Sequence, residues 1–383
     1  MPDSLNILLM DAHLRGGGQV TYVTSLAREL ARLGHHITIG CRPGSVLVEA
    51  AQSVGADCLP AFQLRGGARL GSWYGDLARV RTLLRAHRPD VLHVNGSQDH
   101  WTCALANRLA GRPACVLRTR HNTYPVKKGL PNRVLNRRWT DYQIVVCDVV
   151  RRDLAQHPAF DARRMCTVHN GVDAARFVPN TEARERVRTE LGFAPSDLVL
   201  GIAARLVRAK GHEFLFKAVA QIREQHPELR IMVLGQGDLE ASLKQLANDL
   251  RIGERVKFLG FRNDMADCIQ AFDIGVQPSI DCDTSSFSLK EQMAAEIPVI
   301  ASNYGGLREI VTDGVEGCVV PAGTVTPLAS ALRRMLSSEE LRRKMGVAAR
   351  RRVLREFSVE VFAERTVRAY EKALQIHRER TAS

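Results

Sequence analysis

The stretch LVLGIAARLVRAKGHEFLFKAVAQIREQHPELRIMVLG (198–235) decides the fold. It opens on LVLGIAAR, an apolar run that reads as a buried strand. KGHEFLFKAVAQIREQ reads as a helix, and LRIMVLG returns as a second strand. A strand, a covering helix and a second strand make a βαβ unit, and a series of such units builds a parallel sheet with helices on its faces. The theme continues downstream with VKFLGF (strand), MADCIQAF (helix) and IGVQPS (strand).

The same series runs upstream. NILLM reads as a first strand. In GGGQVTYVTSLARELARLG the apolar residues Val20, Val23, Leu26, Ala27, Leu30 and Leu33 follow a helical period, and Gly34 stands where a C′ glycine ends a helix. HITIG, DVLHVN, ACVLRTRH and YQIVVC are further strands, and LARVRTLLRAHRP is a helix stopped by Pro89. The pattern breaks in the polar, turn-rich segment HNGVDAARFVPNTEARER (169–186) and then restarts. Two α/β series with a linker near residue 178 predict two Rossmann-like, doubly wound domains facing a cleft, over 1–178 and 179–361. The last helical stretch has no strand after it; one option is that about 362–383 packs back on the first domain.

Composition sets the class. The chain has 383 residues, 45% hydrophobic and 25% charged, as in ordinary soluble globular proteins. Its nine cysteines form neither a CxxC pair nor a zinc-spaced cluster, so they read as reduced thiols, and the expectation is a cytoplasmic protein that holds no metal. MPDSLNILLM lacks the basic start of a signal peptide, and no apolar run approaches the ~20 residues of a membrane span. The net charge of +13 is uneven: residues 1–180 carry 24 Lys and Arg against 13 Asp and Glu, whereas 181–383 carry 30 against 28. Within 101–152 eleven basic residues face only Asp141 and Asp148. Such a face is either simply solvated or meets an anionic surface, such as lipid headgroups, a phosphorylated glycan or nucleic acid. Aromatic residues at 5% and the lack of a nucleic-acid motif argue against the last of these.

Ligands of open α/β sheets bind beyond the carboxyl ends of the strands, so the strand-to-helix loops are the candidate sites. In DAHLRGGGQVTY, glycines including Gly17 and Gly18 open a helix whose free N–H groups suit a phosphate, although a flexible turn explains them equally. Arg205 and Lys210 follow a strand; two cations in one such loop suit a diphosphate, or form surface ion pairs. Gly235 and Gly237 frame a turn that lets a flat ring lie on backbone, with Asp238 as an N-cap. In DCDTSSFSLKEQM, Asp283 and Glu291 flank a run that offers the backbone N–H groups of Thr284, Ser285, Ser286 and Phe287. Glu291 suits a diol, and Asp283 suits sugar hydroxyls or charge developing at an anomeric carbon. The plain alternative is a helix-capping Asp283 and a backbone-satisfied Glu291. Arg118, Arg120 and His121 end a strand, where His121 can hydrogen-bond a reacting group or be a satisfied polar residue.

Taken in order, these pieces resemble the retaining GT-B glycosyltransferases of family 4, group 1. The resemblance rests on GGG before the first helix, RTRHNTYP, NGVDAARFVP, the R-x4-K of Arg205 and Lys210, GQGD, the acidic pair, and GGLREIVTDGVEGCVV, and it spans nearly the whole chain. It implies transfer of a hexose-type sugar from a nucleotide sugar (UDP-, GDP- or ADP-linked) to a hydroxyl acceptor, with anomeric configuration retained. It further implies Arg205 and Lys210 on the diphosphate and Glu291 on the ribose. Asp283 and the amides of Ser285 to Phe287 would meet the sugar and its phosphate, Gly17 and Gly18 would approach from the first domain, and His121 would lie near the reacting sugar. No cofactor or metal is implied. The basic first domain suits a membrane-held or phosphorylated acceptor, such as lipopolysaccharide or another cell-envelope glycan, met at the cytoplasmic membrane face. Two departures stand out: the family's first acid is usually Glu where this chain has Asp283, and Leu307 replaces a common Pro or Val. A non-catalytic nucleotide-sugar-binding protein and a nucleotide-sugar epimerase of the same fold are the alternatives.

Overall fold

The structure, a computed structural model, describes residues 4–64 and 70–382. The chain divides into two compact units, one formed by Met1–Gly171 with Val359–Ser383 and the other by Val172–Ser358.

The first unit holds seven parallel strands: β1 (Asn6–Met10), β2 (His36–Gly40), β3 (Asp57–Leu59), β4 (Val91–Val94), β5 (Cys115–Arg120), β6 (Tyr142–Val145) and β7 (Met165–Thr167). They lie in the order β3-β2-β1-β4-β5-β6-β7. The direction of winding reverses between β1 and β4, where Ile7 faces Val91 in register. The helix Gly18–Arg32 ends as its spacing predicts, with Gly34 at φ 86° and its N–H on the Ala31 carbonyl.

The C-terminal helix Val359–Ala382 packs on the helix Gly18–Arg32 and on β5 and β6 of this unit. Apolar residues seat it, Phe362, Tyr370 and Leu374 among them. Polar bonds fix its register. The Tyr370 hydroxyl lies 2.8 Å from His93 Nδ1, and His93 Nε2 lies 2.7 Å from Thr119 Oγ1, which also meets the Tyr22 hydroxyl at 3.0 Å. Nearer the end of the helix, Asp141 Oδ1 accepts from Arg380 at 2.6 Å and from Arg112 at 2.9 Å, while Oδ2 meets His377 Nδ1 at 2.9 Å. Cys115 completes a group of metal-ligand types with Asp141 and His377, of which Cys115 and Asp141 are buried and His377 partly exposed. The two guanidinium groups on Asp141 already balance its charge and oppose a cation there.

The second unit is a six-stranded parallel sheet of β8 (Leu198–Ala203), β9 (Leu229–Leu234), β10 (Val256–Phe258), β11 (Ile274–Gln277), β12 (Val299–Ser302) and β13 (Gly317–Val320). Their order, β10-β9-β8-β11-β12-β13, is the 3-2-1-4-5-6 order of a Rossmann sheet, with the switch point between β8 and β11. Side chains alternate across it. Val199 and Ala203 of β8 join Met232, Val299 and Ala301 in one core, and Leu200 and Ile202 join Ile231, Val233 and Ile300 in the other. Burial on both faces explains why these strands read as continuous apolar runs. Among the described residues no helix is long and apolar enough to cross a membrane.

Candidate active site

In the second unit the loops after β8, β9 and β11 meet at the switch point with their backbones in contact. A Cβ on Gly211 (φ 70°) would lie 2.1 Å from the Pro278 carbonyl oxygen, and one on Gly235 (φ 128°) would lie 2.1 Å from that of Ala204. A Cβ on Gly237 would come within 2.4 Å of the Leu206 carbonyl oxygen. Hydrogen bonds lock the same loops: Leu206 N–H donates to Gln236 O at 3.0 Å and Ile280 N–H to Ala209 O at 2.8 Å. Packing of backbone on backbone thus accounts for Gly235 and Gly237. Asp238 is not the expected N-cap: the helix Glu240–Asp249 starts from Leu239, with no side-chain cap bond.

This packing brings Lys210 and Asp283 together. Lys210 Nζ donates to Asp283 Oδ2 at 2.8 Å, and the same oxygen accepts from Ser279 Oγ at 2.7 Å and Gln277 Nε2 at 2.9 Å. Asp283 is 3% exposed. Its backbone is held as closely, since Gly306 N–H donates to the Asp283 carbonyl and a Cβ on Gly305 (φ 54°) would sit 2.2 Å from that oxygen. Asp283 is therefore not the helix cap. That place belongs to Ser286, whose Oγ accepts from Leu289 N–H at 3.2 Å at the start of the helix Phe287–Ala294. Ser285 is buried and accepts from Lys290 Nζ at 2.8 Å. Lys290 is fully buried, its ammonium 5.9 Å from the Phe287 ring centre and 5.3 Å from that of Phe357.

Glu291 differs from its neighbours. Its residue is only partly covered, yet its carboxylate accepts no hydrogen bond from the described residues, contrary to the backbone-satisfied alternative. Burial of the carboxyl pushes its pKa up to about 7, against the pull of Arg176 and Lys290. Arg205 is exposed at the carboxyl end of β8 and forms no ion pair with the described residues. A free guanidinium and a clamped ammonium thus lie in the loop after β8, and the carboxylate of Glu291 lies in the helix after β11, the strand on the other side of the switch point.

The first unit carries a second set of groups around its own switch point. Gly17 is the N-cap of the helix Gly18–Arg32, and a Cβ there would meet nothing within 4 Å, so packing does not demand this glycine. Asp11, fully buried at the end of β1, accepts from Gln19 Nε2 at 2.6 Å and His13 N–H at 2.7 Å. His121, just after β5, has Nε2 3.1 Å from Asn95 Oδ1 and its ring edge-on to Tyr22 at 4.6 Å. Burial, with Arg118 nearby, pushes its pKa well below the ordinary value, so the imidazole is neutral at pH 7. Asp99 accepts from the N–H groups of Asn95 and Gly96 and lies 3.8 Å from Arg118.

Gln277, Ser279 and Asn95 escape sequence reasoning, because a neutral polar residue at a strand end looks the same whether it faces solvent or an acid. One signal was available. Gln277 and Ser279 are two apart at the end of a strand and so share a face.

Known proteins resemble this chain over both of its units. Residues 183–352 match the family of glycosyl transferases group 1, and residues 16–176 match glycosyltransferase family 4. A putative glycosyltransferase of Bacillus subtilis, EpsD, is 32% identical over 295 residues, which are 72% of this chain and 75% of that protein. The chain belongs to the group 1, family 4 glycosyltransferases. A GDP-mannose-dependent monoacylated α-(1-6)-phosphatidylinositol monomannoside mannosyltransferase of Corynebacterium glutamicum is 34% identical to this glycosyltransferase over 218 residues, 55% of each chain, so the match spans about half of that relative. A glycosyltransferase from Rickettsia africae superimposes on the glycosyltransferase with a TM-score of 0.87 at 20% identity, over 97% of this chain and 99% of the other. The architecture of the glycosyltransferase is accordingly GT-B, two parallel-sheet domains of seven and six strands.

Proposed function

We propose that this glycosyltransferase moves a hexose-type sugar, with retention, from a nucleoside-diphosphate sugar to a hydroxyl of an anionic or lipid-linked acceptor. The observation that carries the donor half is the placing of Arg205 and Lys210 in the loop after β8 and of Glu291 in the helix after β11, the two strands that flank the switch point. Two cations suit a diphosphate, and a carboxylate lacking donors suits a ribose diol. In this reading Arg205 grips the diphosphate while Lys210 turns from Asp283 toward the phosphate that bears the sugar. Positive charge there offsets the negative charge of the leaving nucleoside diphosphate, so no metal is assigned to the step. The leaving phosphate takes the acceptor's proton as the new bond forms on the same face of the sugar. The N–H groups of Ser285, Ser286 and Phe287 serve the sugar and its phosphate. To the first unit the reading gives Gly17 and Gly18 for a phosphate and His121, as a neutral hydrogen-bonding group, for the sugar.

The uneven charge supports the acceptor half, with eleven basic residues within 101–152 of the first unit. So does the phosphatidylinositol-linked acceptor in the name of the Corynebacterium relative. Peripheral attachment to an anionic membrane at its cytoplasmic face belongs to the same reading. One observation favours a second reading, a binding protein without turnover. Asp283 Oδ2 is engaged by three donors and would have to exchange them to meet a sugar.

Nucleotide release from UDP-, GDP- and ADP-sugars in the presence of EDTA, alongside thermal shift, tests the proposal. Release with one base supports transfer. A shift without release supports the binding protein, and neither shift nor release overturns the donor assignment. Co-sedimentation with anionic vesicles that weakens as salt rises tests attachment, and salt-independent binding or none argues against it.

A further inference from the structure

A cavity of about 290 Å³ opens on the first unit just after β5, lined by Arg120 together with Tyr124, Val126, Lys128, Val150 and Leu154. Its apolar wall is the outer surface of a small core in which Val150 and Leu154 pack with Phe160. Arg120 is the unusual member. Its Nε is enclosed and has no hydrogen-bond partner. Its Nη2 donates only to an amide oxygen, Asn136 Oδ1 at 3.2 Å, and its guanidinium carbon lies 4.7 Å from the Phe160 ring centre. No carboxylate among the described residues pairs with it. Asp153, the acid on the cavity wall, is exposed and forms no ion pair with the described residues. Burial and the adjacent Arg118 make the charge costly, enough to push the Arg120 pKa down to about 9.

A buried cation without a counter-charge is expensive, and a fold that keeps one beside an open cavity leaves room for an anion to complete it. Lys128 is exposed and places a second positive charge on the same cavity. Beside Asp153 the lining includes the polar Asn122, Thr123 and His157, and its apolar part, from Tyr124, Pro125, Val126, Val150 and Leu154, is hydrocarbon and aromatic. Free phosphate would satisfy the cations and leave this wall bare. An amphiphile with its phosphate next to its chain satisfies both.

We propose that this cavity binds a lipid phosphate, with Arg120 and Lys128 on the phosphate and Tyr124, Val126, Val150 and Leu154 on the first methylenes of the chain. The proposal rests on the glycosyltransferase reading and deepens it, because it gives the lipid-linked acceptor a seat.

Calorimetric titration with decyl phosphate below its micelle concentration tests this, with inorganic phosphate and decyl maltoside as the single-feature probes. Decyl phosphate should bind at least about tenfold more tightly than either, and Arg120→Met should lose about tenfold of that affinity, the worth of one charge-assisted hydrogen bond. Equal binding of decyl phosphate and inorganic phosphate, no binding of decyl phosphate, or undiminished binding by a folded Arg120→Met would overturn the proposal. If Arg120→Met melts, the exposed Lys128→Glu decides: weakened binding at low salt supports the site and unchanged binding overturns it. Nucleotide release measured on the same samples keeps the two ideas apart. Release without decyl phosphate binding removes this site and leaves the enzyme standing.

Discussion

Lys210 and Asp283, 73 residues apart in sequence, form an ion pair of 2.8 Å at the carboxyl ends of the second sheet. Ser279 and Gln277 hold the same carboxylate oxygen, so Asp283 keeps two neutral donors if the lysine leaves. Lys210→Ala should therefore fold. It should lose roughly tenfold to a hundredfold in kcat/KM for nucleotide release, as expected for one hydrogen bond to a charged phosphate. Asp283→Glu is the complementary change. Its extra methylene moves the carboxylate off three donors while Gly305 and Gly306 keep its backbone fixed. A melting shift corresponding to about 1–3 kcal/mol is expected, together with altered donor preference. Full activity in Lys210→Ala would end the diphosphate assignment.

Glu291 should trade stability for ligand affinity. An ordinary glutamate titrates at 4.5, whereas burial pushes this one up to about 7. The folded protein therefore binds a proton between these values that the unfolded chain does not, and stability falls as pH rises from about 4.5 through 7. Glu291→Gln removes that penalty. It should melt higher than the wild type at pH 8, by an amount on the order of 1–3 kcal/mol, and show no advantage near pH 4. If the carboxylate holds the ribose, the same variant should bind donor more weakly at pH 8. A variant that gains no stability at pH 8 would show that Glu291 is already paired.

The strands of the second unit were legible because burial on both faces leaves them apolar throughout, as in the paired runs around Leu200 and Ile231. β3 and β7 were not, since edge strands of three residues, DCL and MCT, carry no run to read. Arg205 and Lys210 were legible as charges in a strand-to-helix loop, a position that topology makes significant, and Glu291 as an acid one turn into the helix after β11. The partner of Lys210 was not, because pairing across 73 residues leaves no local spacing. The same limit applied to helix starts. Asp238 and Asp283 both looked like caps, yet tertiary contacts put Leu239 and Ser286 there instead. Periodicity likewise revealed the last helix but could not name Tyr370 as the residue that keys it to His93.

Gly305 tests how tightly the site depends on backbone contact. Its φ of 54° is in the left-handed region, and a Cβ would meet the Asp283 carbonyl oxygen at 2.2 Å. Backbone cannot swing aside as a side chain can. Gly305→Ala should thus cost about 2 kcal/mol or more and slow nucleotide release by displacing Asp283. Gly314→Ala is the control. Its φ is 79°, but nothing lies within 4 Å of the added Cβ, so it should show the conformational cost without the loss of release. Equal behaviour of the two variants would mean that the Asp283 contact has no part in the site.

The C-terminal helix offers a test in the first unit. Tyr370 Oη is 2.8 Å from His93 Nδ1 in a fully buried chain of groups that runs through Thr119 to Tyr22. Tyr370→Phe keeps the ring and removes one hydroxyl, leaving a ring nitrogen of His93 without a partner where water does not reach. The expected loss is about 1–3 kcal/mol, read as a lower denaturant midpoint with an unchanged slope. Burial has already pushed the His93 pKa down to about 3, so the imidazole is neutral in both proteins across the working range. The loss should consequently be the same at pH 6 and pH 9. A deficit that grows toward pH 6 would show that His93 takes a proton when the tyrosine is gone, and no deficit at either pH would show that the apolar contacts of Phe362 and Leu374 alone hold the helix in place.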